Sequence, residues 1–315
     1  MKKLFLVIGL IAGFNSCSQN EPADSLTIAD AKIEIPNENK VFPVGTAYTR
    51  SQVAAEGAYN QLKQNLVKND AISIVAEVDH SKNARMVNEK LDYTKIIFFG
   101  NPVLGTPLMQ QNQLAGLDLP QKILFYRNSK KNDIALYNSM DYLSSRHELQ
   151  CLESLEKISG ALQNLVSGAT KTEINYAAEQ TVGPGEGIIT KTSSNNFEDT
   201  YSRLKNVLNA NENISIIAEL DHKKNAESAG LELNPTRIII FGNPQLGTPL
   251  MLEEQSIGLD LPQKMLVWEN DEAEVFISYN DPFYIAERHD IEDNQDVLNT
   301  ISTALNKISD EAINN

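Results

Sequence analysis

The chain has 315 residues, 41% of them hydrophobic, and 42 acidic against 27 basic side chains give a formal net charge of −15. That length accommodates two domains of ordinary size, each able to bury its own core. An acidic balance of this size argues against nucleic acid and anionic lipid as partners, because both are bound through clustered Lys and Arg.

The first residues run Met1-Lys2-Lys3, an apolar stretch from Leu4 to Phe14, then Asn15-Ser16-Cys17. This is the basic, apolar and small-residue order of an export signal, and the apolar stretch is too short to span a bilayer. A cysteine after a small residue, leading into polar Ser18-Gln19-Asn20-Glu21, resembles a bacterial lipoprotein signal. The resemblance implies a signal peptide over 1–16 and a lipid on Cys17. The membrane is then a partner through that lipid, and the address is the bacterial cell envelope. Phe14 departs from the usual Leu three residues before the cysteine, which leaves plain secretion as the alternative. Cleavage before Cys17 removes Lys2 and Lys3 and no acid, so 25 basic face 42 acidic residues in the mature chain. Only Cys151 then remains as a thiol, and Asp293 is its expected counterpart in the second half, so no disulfide framework is supported. Cys151 reads as a buried helix residue.

Residues 17–40 are polar, with Pro22 and Pro36, and suit a tether. Beyond them the chain repeats itself. Asp79-His80 recurs as Asp221-His222, Phe99-Gly100-Asn101-Pro102 as Phe241-Gly242-Asn243-Pro244, and Arg146-His147 as Arg288-His289, each at an offset of 142 residues. The constant offset predicts no insertion or deletion between copies. It places a first domain over 41–166, a linker over 167–182 around a stretch of low hydrophobicity, and a second domain over 183–312.

Each copy opens with a strand, Ile188-Ile189-Thr190 in the second. Ser193 or Ser194 is the expected cap of a helix whose Phe197, Tyr201, Leu204 and Leu208 lie at helical spacing, as do Tyr59, Leu62 and Leu66. Alternating β-branched residues predict a strand over 72–78 and over 214–220, closed by Asp79 or Asp221. A short helix follows. The next strand, Ile96-Ile97-Phe98-Phe99 or Ile238-Ile239-Ile240-Phe241, is apolar on both faces and therefore central. After a turn and a short helix, strands over 122–126 and 134–137 (264–268 and 275–279) make a hairpin. An amphipathic helix through Leu155, Ile158, Leu162 and Leu165, or Leu298, Ile301, Leu305 and Ile308, closes each unit. The order βαβαβαββα predicts an α/β (α+β) fold in two layers, a sheet covered by helices on one side. Two such units in tandem are able to pair as a pseudo-symmetric dimer.

The segment FGNPVLGTPLM, Phe99 to Met109, recurs as FGNPQLGTPLM from Phe241 to Met251, and Gly116 to Lys122 is identical to Gly258 to Lys264. With the Asp-His run and the late Arg-His, these motifs resemble the bacterial family numbered 302 among domains of unknown function. The resemblance covers nearly all of both copies. It implies a compact α/β domain whose biochemical activity is not established.

In that segment Gly100 and Gly105 are expected to bracket a tight turn, with Thr106 as helix cap and Pro107 in the first helical position. The spacing G-x-x-x-x-G-T is not a phosphate loop, because Pro107 stands where the lysine belongs and removes an amide donor. The helix start beside Asn101 or Asn243 is left as a place for a small anion. Asp79 and Asp221 are expected caps. His80 and His222, each beside a carboxylate, suit a base, a metal ligand or a pH-sensitive contact. If His147 and His289 converge on them, two imidazoles and a carboxylate would bind a transition metal. Lys122, Tyr137 and Arg146, with Lys264, Tyr279 and Arg288, complete a pocket for a small polar or anionic ligand. Hydrolase chemistry finds no nucleophile elbow, and Ser81 becomes Lys223. The leading expectation is an envelope module binding a small molecule or metal, one site per copy. The alternatives are a structural or assembly lipoprotein and an enzyme using Asp-His as general base.

Overall fold

The computed structural model describes residues 42–150 and 153–314. The expected signal peptide and tether, Cys17 and Cys151 lie outside the described residues. The first copy contains β1 (Thr46–Arg50), α1 (Ala55–Val67), β2 (Ser73–Asp79), α2 (His80–Met86), β3 (Thr94–Gly100) and α3 (Pro102–Gln111). A 3-10 turn at Gln113–Leu117, β4 (Gln121–Arg127), β5 (Asp133–Asn138), α4 (Met140–His147) and α5 (Glu153–Thr170) complete it. A two-residue strand, β6 (Asn175–Tyr176), pairs with β1 on the way to the second copy. The second copy runs β7 (Ile188–Thr192), α6 (Phe197–Asn209), β8 (Ser215–Asp221), α7 (His222–Ser228), β9 (Thr236–Gly242) and α8 (Pro244–Glu253). It then passes through a 3-10 turn at Gln255–Leu259, β10 (Gln263–Glu269), β11 (Val275–Asn280), α9 (Pro282–Arg288) and α10 (Gln295–Ile313).

The two sheets have orders β2-β3-β4-β5-β1-β6 and β7-β11-β10-β9-β8, antiparallel throughout. Both carry a bulge at the same place, between Ile74 and Ala76 and between Ile216 and Ala218. The interior strand β3 has two apolar faces, as its sequence predicts, and each face has its own partner. Ile97 and Phe99 pack with Tyr59, Leu62 and Leu66 of α1 and Ile158 and Leu162 of α5. Ile96 and Phe98 face the other way, into a cluster that includes Ile240 and Leu259 of the second copy. The helical layer is therefore on one side only, and the other copy covers the second side. Reciprocally, Leu117 packs with Ile238 and Leu266. Helix α2 packs on α8 and α7 on α3, so Ala226 sits in the first copy's core and Ala84 in the second's.

Three expectations change. The constant offset fails after Leu149 and Ile291: Leu155, Ile158 and Leu162 of α5 correspond to Leu298, Ile301 and Leu305 of α10 at 143 residues, so the second copy holds one extra residue before its last helix. The register of the buried stripe reveals this, whereas the exposed connection has no motif to mark it. The cap of α6 is Asn196, whose side chain accepts from Asp199 N, while Ser193 bonds to Thr200 in the preceding turn. The stretch expected as linker from 167 opens with helix: α5 runs to Thr170, because Val166, Ala169 and Thr170 still face the core.

Candidate functional site

The repeated histidines divide into two environments. His80 and His222 open α2 and α7, each following an aspartate that caps the helix: Asp79 accepts from Lys82 N at 2.7 Å and Asp221 from Lys224 N at 3.0 Å. The capping expectation for both carboxylates is met. Each helix leans on the opposite copy, so each histidine enters a pocket whose other wall belongs to its partner repeat. One cavity of about 380 Å³ is lined by Asn101, Thr106 and Pro120 of the first copy and by His222, Asn225 and Glu219 of the second. The other, about 450 Å³, is lined by Asn243, Thr248 and Pro262 of the second copy and by Asp79, His80 and Asn83 of the first. Helices α5 and α10 close the apolar sides through Leu162 and Leu305.

Five buried polar atoms of residues lining these cavities have no hydrogen-bond partner: Nε2 of His80 and His222, Oγ1 of Thr106 and Thr248, and Nε2 of Gln121 in the first cavity. The imidazole Nε2 atoms stand out because a buried polar group left unpaired costs roughly 1–3 kcal/mol. Burial pushes both imidazoles down to about 4, against the smaller opposing effects of the neighbouring aspartates and of backbone at Gly258 and Leu261 for His80 and at Gly116 for His222. Both rings are therefore neutral near pH 7.

Sequence reasoning missed the threonines. The expected cap at Thr106 is instead Asn101, whose side chain accepts from Val103 N at 2.9 Å, with Pro102 in the first turn; Asn243 does the same for Gln245 N. Thr106 and Pro107 then lie inside the helix, where proline removes one backbone bond. Asn101 and Asn243 are thereby occupied as caps, which removes the reading of this helix start as an anion site. The only signal that could have singled out the threonines is their retention in both copies.

His147 and His289 do not join His80 and His222. They lie with Arg146, Arg288, Lys122 and Lys264 in a buried ionic cluster between the copies, organised by two aspartates not chosen from the sequence. Asp118 Oδ2 accepts from Arg146 Nη1 at 2.7 Å and lies 2.8 Å from His147 Nε2. Asp260 accepts from Arg288 Nη1 at 2.6 Å and from Lys122 Nζ at 2.7 Å, with His289 Nε2 at 2.9 Å. Arg146 reaches Asn280 and Arg288 reaches Asn138, each at 2.9 Å across the interface. Burial alone would raise both carboxyls. Arg146, His147 and Lys264 around Asp118, and Lys122, Arg288 and His289 around Asp260, outweigh it and hold both well below the usual carboxylate range. Lys264 donates to Leu117 O at 2.7 Å, and burial with the nearby Lys122 charge brings it down to about 7.

The remaining candidates, Tyr137 and Tyr279, fill the helical-side cores and line neither His-containing cavity. The convergence that a metal site required does not occur, and among the described residues no group of three or more His, Cys, Asp or Glu is arranged to hold a metal ion. Asp221 is tied by Arg237 Nε at 2.7 Å.

Comparison with known proteins bears on the fold. The family described as "Domain of unknown function DUF302" matches residues 47–165 and again 189–308. "Fluoride-specific ion channel FluC 1" of Brucella suis biovar 1 (strain 1330) is 39% identical over 111 residues, 35% of this chain and 43% of that protein. The FluC 1 protein of Brucella abortus biovar 1 (strain 9-941) is 39% identical over 111 residues, 41% of its length. The chain thus spans less than half the length of these relatives. The crystal structure of an uncharacterized conserved DUF302 protein from Bacillus stearothermophilus is similar to 40% of this chain over 98% of its own, with 20% identity and a TM-score of 0.37. With two matches that together span most of its length, the chain belongs to the DUF302 family and carries two tandem copies of its domain.

Proposed function

We propose that this protein is a small-molecule binding module of the cell envelope, with two equivalent sites that each draw on both repeats. The observation that carries the reading is the pair of mostly apolar cavities in which a neutral histidine and a threonine keep unpaired polar atoms. Few convergent polar groups in a largely apolar concavity is the usual composition of a ligand site. The fluoride named for the Brucella relatives is not carried over, since a negative charge does not suit rims bearing Glu77, Asp79 and Glu219.

Native mass spectrometry of the purified protein tests this. Two equivalents of bound organic mass are expected, falling to one on Ala161→Trp or Ala304→Trp, which obstruct one cavity each from the lining of α5 or α10. Retention of both equivalents in both variants would overturn the assignment. The envelope address rests on residues 1–17: Cys17→Ala is expected to release the protein from membranes, and unchanged membrane retention would remove the lipid anchor from the proposal.

A further inference from the structure

Resting on the binding reading above, we infer that the two pockets select a neutral, mainly apolar molecule carrying a hydroxyl group, an alcohol or a phenol, over the corresponding carboxylic acid or hydrocarbon. His80 is 3% exposed and Thr248 0%, and both line one cavity; His222 and Thr106, at 4% and 1%, line the other. With the ring neutral, each histidine has one N–H and one lone pair. Nε2 of each ring has no hydrogen-bond partner. The threonine hydroxyl both donates and accepts. A ligand hydroxyl, itself donor and acceptor, pairs with Nε2 in either tautomer and with the threonine, and its carbon body lies against Leu162 or Leu305.

A carboxylate fails on charge. It meets two carboxylates, Glu77 and Asp79, against one cation, Lys82, at one pocket and Glu219 at the other. Glu77 and Glu219 stay ionised because, although burial opposes it, Lys63 with Tyr59 and Lys205 with Tyr201 bind their charged forms. A hydrocarbon of the same shape leaves the buried polar atoms unpaired, and sites with such atoms reject analogues that lack the matching group.

Titration calorimetry on the full chain with 4-pentylphenol, pentylbenzene and 4-pentylbenzoate reads the preference. The phenol is expected to bind at two sites about ten-fold tighter than pentylbenzene, with the benzoate weakest. In the double variants His80→Phe/His222→Phe and Thr106→Val/Thr248→Val, the phenol's advantage is expected to fall several-fold while pentylbenzene affinity holds; the threonine pair keeps the test valid if the histidine pair fails to fold. Equal binding of phenol and hydrocarbon, or tightest binding by the benzoate, overturns the ligand class and leaves the pockets standing. No binding by any of the three overturns the pocket reading with it.

Discussion

At the scale of single residues, the sequence could not separate the histidines from one another. Repetition selected all four, but only burial shows that His80 and His222 are neutral pocket groups while His147 and His289 serve a salt-bridge cluster. The imidazole values, about 4 folded against about 6.5 unfolded, fix the sign of a pH effect. Between those values the unfolded chain binds protons that the folded chain does not, so stability present above pH 6.5 is lost as pH falls toward 4. Each ring accounts for roughly 3 kcal/mol of that loss. In His80→Gln/His222→Gln, denaturant midpoints compared between pH 7 and 4 are expected to fall much less steeply; an unchanged slope would mean that the rings are not desolvated. A second residue-scale prediction concerns Gly45 and Gly187, at φ of +72° and +65°, where an added Cβ would lie 2.3 Å from Tyr142 and 2.0 Å from Tyr284. Gly45→Ala is expected to destabilise by roughly 2–4 kcal/mol, through overpacking and a strained backbone. A shift under about 0.5 kcal/mol in chemical denaturation would contradict it.

At the scale of elements, alternation and helical spacing were enough to read the strands, the hairpin of β4 and β5 and the stripes of the long helices, because each segment has one buried face or two. The start of α3 was misread because Thr106-Pro107 and Asn101-Pro102 are both cap-and-proline pairs, and only packing decides between them. The extra residue before α10 escaped for a related reason: it falls among Glu292, Asp293 and Asn294, which Glu253 holds outside the apolar core. Because Thr106 and Thr248 lie within helices with unpaired hydroxyls, Thr106→Val and Thr248→Val should each raise stability by about 1 kcal/mol in the unliganded protein while weakening ligand. Thermal unfolding with and without 4-pentylphenol reads both signs, and a destabilised unliganded variant would show that the hydroxyl already has a partner.

At the scale of the whole molecule, the pairing of the copies decides both the cluster and the pockets, and pairing is the level that periodicity does not reach. Motifs that look like one site per copy are in fact exchanged between copies, as Lys122 with Asp260 and Arg288 with Asn138 show. Two arginines and two lysines meet two aspartates there, so removing one carboxylate leaves buried cations uncompensated. Asp260→Asn is expected to lower stability by roughly 3–5 kcal/mol in urea unfolding, and a loss below about 1 kcal/mol would mean that water reaches the cluster. The central claim is that each pocket is shared, and a double-mutant cycle on 4-pentylphenol affinity tests it most directly. His80→Phe combined with Thr248→Val should show a coupling of at least about 0.5 kcal/mol, while His80→Phe with Thr106→Val should be additive although both residues belong to the first copy. Coupling of His80 to Thr106 with none to Thr248 would contradict the account.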